Sequence, residues 1–252
     1  MGEEAAGTPW FTVPVSRWAD RPEPGRQHRV QVTRRRLLLA AARQFDSDGY
    51  HGSSLRDILT ATGLTKGALY FHFRSKAELA VAVIRECVDS WVQVETEVGA
   101  RGLDPVRRLL VETDAWVARW MYDPVVRGAS RAMTDGIPAD AYRSWTRAWS
   151  DGTEAHLGRA RAAGLLRPEV DIPRLSRLLL AAGAGHHVLG ETLADEGDLW
   201  ARMSDTWEGI LPVVVVDDWV EQWRCSGWAD RPAPCADVYE RARRPEGEQE
   251  QG

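Results

Sequence analysis

Lys66, Tyr70, His72 and Lys76 crowd into one short stretch, TKGALYFHFRSKAELA, that begins at Thr65. An ammonium, a phenol, an imidazole and a second ammonium are a poor set for a helix core. They are a good set of donors for phosphate oxygens and for the acceptors on base edges. Gly67 and Ala68 are small enough for a helix backbone to approach such a partner closely. Leu69 and Phe73 stand four residues apart and are expected to face inward, while Phe71 suits either side.

These donors need a rigid mount, and the flanking residues supply one. Thr65 is a good cap for a helix over 66–72. Upstream, SSLRDILTATG predicts a short helix with Leu55, Ile58 and Leu59 on its buried stripe. Ser53 or Ser54 caps it, with Asp57 three residues after Ser54 in the acidic form of a capping box. Gly63 ends that helix and Leu64 plugs the turn. A short helix, a glycine turn and a second short helix make a helix-turn-helix, whose second helix enters the major groove of duplex DNA. Lys66 then reaches phosphate or guanine, Tyr70 reaches phosphate, and His72 and Lys76 extend the phosphate contacts. Ser53, Ser54, Thr65, Gly67 and Ala68 complete the expected DNA-binding set, and a helix start near Ser75 adds backbone donors. Ahead of this unit, a helix over 29–47 places Leu38, Ala41, Ala42 and Phe45 on one face, and Gly49 suits a left-handed exit.

Charge follows the same division. Residues 28–76 hold nine Arg or Lys against three acids, a net of +6, whereas the whole chain of 252 residues carries −5. A basic module joined to an acidic body is the footprint of a polyanion partner at one end. The apolar runs ILPVVVV and LLLAA are too short to span a bilayer, so no membrane partner is expected. The N-terminus does not read as a secretory signal. Cys87, Cys225 and Cys235 are odd in number and lack a C-x-x-C pair, which points to a reduced, cytoplasmic setting.

Four segments are expected: a flexible arm over 1–27, the helix-turn-helix domain over 28–76, a larger helical body over 77–222 and an irregular tail over 223–252. The body begins with a long amphipathic helix from Ser75. Further helices are predicted near 104–122, 125–134, 139–163, 172–194 and 198–211, punctuated by prolines. PVVVV is the one strand-like run, and it is too isolated to make a sheet. The fold class is therefore all-α. WADRPEP at Trp18 and WADRPAP at Trp228 nearly repeat one another, as docking segments or as a shared turn preference.

GYHGSSLRDILTATGLTKGALYFHFRSKAELA closely resembles the DNA-binding segment of TetR-type transcriptional repressors, matching their pattern at Gly49, Tyr50, Gly63, Leu64, Thr65, Gly67, Leu69, Tyr70, His72, Phe73, Lys76 and Leu79. TKGALYFHF is most similar to the γ-butyrolactone autoregulator receptors of actinomycetes, and a weaker likeness continues through GASRAMTDG and DTWEGILP. The resemblance implies an Ω-shaped homodimer: a three-helix head, a linking helix and a body holding a small hydrophobic ligand. It places the dimer contact on the helices from Ile172 and Asp198, where Ala181, Ala182, Gly183, Ala184 and Gly185 allow close approach. It also implies that Trp145, after a Gly/Pro-rich loop, closes on the ligand.

Trp91, Trp116, Trp120 and Trp149, with Met133, are the other candidates for aromatic and apolar pocket walls, although each also suits an ordinary core. Receptors of this type tend to carry a glutamine and a threonine where Val88 and Ala184 stand, so the ligand carries over less well than the fold. His186 and His187 are candidate substitutes for the missing polarity. An answer to an antibiotic or its precursor, as in a pseudo-receptor, stays open beside a γ-butyrolactone. So does an architectural or partner-docking role on DNA. No hydrolase, zinc-protease, Walker or dinucleotide motif occurs, and His186, His187 and Glu191 make a weak metal set. No catalytic residue, metal or cofactor is expected.

Overall fold

The computed structural model describes residues 26–192 and 199–226. The two WADRP segments, most of the arm and most of the tail lie outside the described residues. Ten helices are described: α1 (Arg26–Gly52), α2 (Leu55–Thr62), α3 (Lys66–His72), α4 (Lys76–Gly99), α5 (Pro105–Tyr122), α6 (Pro124–Thr134), α7 (Ala141–Ala162), α8 (Ile172–Thr192), α9 (Leu199–Val214) and α10 (Asp217–Ser226). The all-α expectation holds. The PVVVV run enters no sheet: Val213 and Val214 finish α9, and Val215 makes an isolated antiparallel bridge with Leu166. No described helix is long and apolar enough to cross a membrane.

The chain forms two compact units, divided differently from the expected boundary at residue 76. One gathers the described residues up to Ser90 with Pro124–Trp145; the other gathers Trp91–Asp123 with the described residues from Thr146 onward. In the first unit, Leu37, Ala41, Ala42 and Phe45 of α1 are buried together with Ile58, Leu69 and Phe73 of the helix-turn-helix. Val83 and Ile84 of α4 and Val126, Ala129 and Met133 of α6 join that core. The pairing of α1 with α6 is the most extensive in this unit. Gly128 makes it possible, because a Cβ there would sit 2.2 Å from the Ala42 carbonyl oxygen. Arg127 Nε donates to Asp46 Oδ2 at 2.8 Å along the same seam.

Gly49 breaks helical geometry near the end of α1 with φ 72° and ψ 172°, a conformation that glycine alone adopts readily. A side chain there would also press on the Asp135 carboxylate, whose Oδ2 accepts from Tyr50 N at 2.7 Å.

The second unit packs α5, α8, α9 and α10 with most of α7. Asp104 caps α5, its Oδ1 accepting from Val106 N at 2.9 Å, and Pro105 fits the first turn because no donor is needed there. Leu109, Leu157, Leu175, Met203, Trp207 and Leu211 share the core with Trp219, Val220 and Trp223. Those last three correct the expected tail. They lie one and four residues apart on one face of α10, so helix continues to Ser226 where an irregular segment was predicted from residue 223.

Candidate nucleic-acid interface and ligand-binding body

Each helix of the putting-together of α2 and α3 is closed by its own residues. Ser54 Oγ accepts from Asp57 N at 3.2 Å at the start of α2 and also bonds the Asp57 carboxylate. Gly63 ends α2 at φ 64°, its N–H reaching Leu59 O at 2.9 Å. Thr65 Oγ1 accepts from Ala68 N at 3.2 Å and starts α3. Leu69 and Phe73 are sealed inside as expected. Lys66, Gly67, Tyr70 and Phe71 stand outward as one face, spaced one and four apart, with Tyr70 46% and Phe71 74% exposed. Lys66 Nζ lies 5.9 Å from the centre of the Tyr70 ring, so charge and aromatic surface are presented together. Phe71, which the sequence left open, is the most exposed large apolar residue described in the chain.

Three of the expected DNA contacts are drawn inward. Ser53 is 4% exposed and its Oγ donates to Tyr50 O at 2.8 Å, which removes it from the contact set. Lys76 Nζ donates to Tyr50 O at 2.6 Å and Ser53 O at 2.8 Å, and stands 4.3 Å from the centre of the Tyr50 ring. It ties the end of α1 and the turn after it to the start of α4. His72 is half-buried beside α1. Burial, then the positive charge of Arg34, lowers its pKa, so the neutral imidazole is favoured. The Arg34 guanidinium lies 4.6 Å from the centre of the Phe73 ring. Thr65 and Ala68 remain at the start of α3 as cap and small residue.

The ligand candidates are divided between the two units. Trp91, Trp116 and Trp120 do assemble in the second unit: Trp91 and Trp116 meet edge-on at 5.4 Å between centroids, and Trp116 and Trp120 at 5.8 Å. Trp149 packs against the core of that unit. Val88, Met133 and Trp145 belong to the first unit, where Val88 and Met133 are buried and Trp145 is half-buried. Ala184 is exposed on α8. The reason is helical phase, since Leu178, Ala181, Gly185 and Leu189 are exposed on the same helix. The His187 side chain lies outside the described residues. His186 is half-buried, its Nε2 2.7 Å from Thr206 Oγ1, and burial followed by the charge of Arg202 lowers its pKa.

Sequence reasoning missed a buried charge cluster. Arg108 Nε donates to Glu112 Oε1 at 2.7 Å, and His156 Nε2 lies 2.9 Å from Glu112 Oε2. Arg108 Nη2 also reaches Glu95 O at 3.2 Å. Burial alone would raise the Glu112 pKa, but hydrogen bonds and charges from His156 and Arg108 outweigh it and hold the carboxyl below the usual range. Glu95, Glu112 and His156 bring ligand atoms within 4.8 Å of one another. Glu112 is already neutralised by a guanidinium, which an added metal cation would face. Only the four-residue step from Arg108 to Glu112 was visible in the sequence; His156 arrives from another helix.

The same histidine borders a narrow cavity between α5, α7, α8 and α9. Leu109, Leu157, Leu175, Leu179, Trp207 and Leu211 are among its walls. None of the tryptophans nominated from the sequence lines it.

The sequence profile of bacterial regulatory proteins of the tetR family matches residues 37–83, which run from α1 through the helix-turn-helix into α4. The A-factor receptor protein of Streptomyces griseus is 27% identical over 216 residues, 86% of this chain and 76% of the relative. The HTH-type transcriptional activator FasR of Mycolicibacterium smegmatis is 30% identical over 156 residues, 56% of this chain and 70% of the relative. Among solved structures, a γ-butyrolactone receptor described as ArpA-like is 25% identical with a TM-score of 0.67, covering 75% of this chain and 92% of that one.

Proposed function

The chain belongs to the TetR family of bacterial regulatory proteins, and from that membership we propose that it is a homodimeric repressor that binds a pseudo-palindromic operator and releases it on binding a small hydrophobic molecule of γ-butyrolactone type. The observation that carries the DNA role is the outward face of α3: Lys66, Gly67, Tyr70 and Phe71, on a capped helix seated by Leu69 and Phe73. A lysine gives phosphate or guanine contact, the glycine lets the backbone approach, and an exposed phenyl ring suits a thymine methyl group. Two such helices, one per protomer, would address half-sites about one turn of DNA apart.

The exposed apolar line of α8, Leu178, Ala181, Gly185 and Leu189, supports a contact with a second copy, since its small residues permit close helix approach. The likeness to the A-factor receptor and to the ArpA-like receptor supports the choice of ligand class. The missing polar residues at Val88 and Ala184 favour a second reading, a pseudo-receptor answering to an antibiotic or its precursor.

Release requires that ligand bind the spread state more tightly than the DNA-competent one; a tenfold loss of operator affinity needs about 1.4 kcal/mol of such preference. Within the first unit α6 cannot shift without α1, because Gly128 meets the Ala42 backbone and Arg127 pairs with Asp46. That seam gives a movement of α6 a rigid route into the head.

The test is a gel-shift titration on a site selected from random duplex. Lys66→Ala and Tyr70→Ala should each weaken binding by about 1–3 kcal/mol while the dimer persists in sedimentation. Wild-type affinity in both variants would remove α3 from the interface. A reporter assay with and without the operator decides the sign of regulation, which matters because FasR is named an activator.

A further inference from the structure

We propose that the outward face at the start of α1, formed by His28, Arg29, Val32, Arg35 and Arg36, lies along the phosphates of the duplex flanking the bases met by α3, a contact that rests on the DNA-binding reading above and extends it to a second helix. From Arg26 to Phe45 the chain holds six arginines and no aspartate or glutamate. At the helical repeat, the five named positions fall within an arc of about 120° centred on Val32. All five are exposed. On the opposite side Val30, Thr33 and Arg34 are half-buried, and Leu37 and Leu38 are buried. The helix is therefore seated by one face and presents cations on the other. Cations gathered without carboxylates on their own helix repel one another. A polyanion relieves that repulsion and releases counterions of its own.

This face is continuous with the reading unit. Arg36 Nη2 donates to Thr62 O at 2.8 Å, at the end of α2. On the same turn of α1, the Arg34 guanidinium lies 4.6 Å from the centre of the Phe73 ring, just past the end of α3. Thr62 stands four residues before Lys66, so even a fully extended chain keeps the start of α3 within about 14 Å of the Arg36 contact. Upstream of Arg36 the face runs back to His28, about 12 Å along the helix axis. No residue from His28 to Arg36 is buried. Guanidinium groups on an exposed helix bind phosphate oxygens whatever the base sequence, whereas α3 meets base edges. The α1 face therefore adds affinity and register without adding a choice of base. Arg36 holds α2 and Arg34 packs on Phe73 near the carboxylates of Glu86 and Glu78, so both also serve the head itself. Arg29 and Arg35 are the cations to test.

The experiment uses the full chain carrying Arg29→Gln and Arg35→Gln together, and two duplexes. One is a site selected from random DNA with about one helical turn beyond each half-site; the other is the same site trimmed to the half-sites. On the long duplex, a fourfold rise in salt should weaken the wild-type protein about tenfold more than the double variant, because the variant neutralises two fewer phosphates. The affinity lost at low salt should be the same factor on the selected site and on random duplex of equal length. On the trimmed duplex the two proteins should bind alike. Lysine at both positions should restore most of the salt dependence. Arg35→Gln alone covers the case in which the double variant folds poorly, and should remove about threefold of the salt effect. An unchanged salt dependence on the long duplex would overturn the proposal. So would a deficit that persists undiminished on the trimmed one. A change in the sedimentation of the free variant with no change in salt dependence would give this face to a second copy of the chain instead. Lys66→Ala and Tyr70→Ala on the same duplexes test α3 separately: wild-type affinity there would sink the α3 reading and leave the α1 result standing.

Discussion

Among the described residues the two units differ in how completely their buried polar groups are paired. In the first, polarity is settled within the unit: Ser53 donates to Tyr50 O, Thr62 Oγ1 donates to Ile58 O at 3.0 Å, and Lys76 closes the end of α1. In the second, among the described residues, His156, His186 and Trp207 each bury a ring nitrogen that no protein group completes. A reading head must hold one shape against a stiff duplex, and full satisfaction makes it rigid. A buried ring nitrogen without a partner costs stability, so the second unit carries a penalty at these positions.

The largest effect that would break this contrast is expected at Gly128. Gly128→Val forces a side chain into the Ala42 backbone and should destabilise the first unit by about 3 kcal/mol, with loss of operator binding, in a denaturant titration. A tolerated valine would mean that the α1–α6 seam is soft. Next is Glu112→Gln, which leaves Arg108 and His156 without their carboxylate and should lower stability by about 2–3 kcal/mol at neutral pH. Because the folded pKa of Glu112 is held down, its contribution is complete above the usual carboxylate range and disappears as pH falls through the lowered value. The variant should therefore lose part of the wild-type protein's acid sensitivity, as followed by thermal melts against pH.

A smaller effect separates the two lysines of the head. Lys66→Ala should reduce the salt slope of operator binding by about one, while Lys76→Ala should leave the slope unchanged and lower the melting temperature. A fall in slope for Lys76→Ala would restore it to the phosphate contacts. The smallest expected effect is a titration. Arg34→Gln removes a cation near His72 and should raise the His72 pKa in an NMR titration, with the proton uptake that lowers stability at acid pH moving in step. An unchanged pKa would leave burial as the sole cause.

Legibility followed distance along the chain. Capping at Ser54, Thr65 and Gly63 involves partners three or four residues away, so a reader of residue types finds it directly. The inward pair Leu69 and Phe73 was legible for the same reason. The inward bonds of Lys76 were not legible because its acceptors lie 26 and 23 residues back, beyond any local pattern. The exposure of Ala184 was not legible because small residues suit a pocket wall and a helix contact equally. Trp145, singled out by the resemblance, and the Trp91–Trp116–Trp120 group, singled out as aromatic residues, belong to different units.

By itself, then, the sequence determined the helices, the turn and the inward pair that seats α3, because caps, glycines and a four-residue repeat act within one or two turns of backbone. Tertiary structure alone decided that Ser53 and Lys76 turn inward, that Gly128 admits α1 against α6, and that His156 meets Glu112 beside a cavity closed by Trp207. Those outcomes depend on groups brought together from distant helices, and neither burial nor the pairing of a polar atom is a property of a residue until its neighbours have arrived.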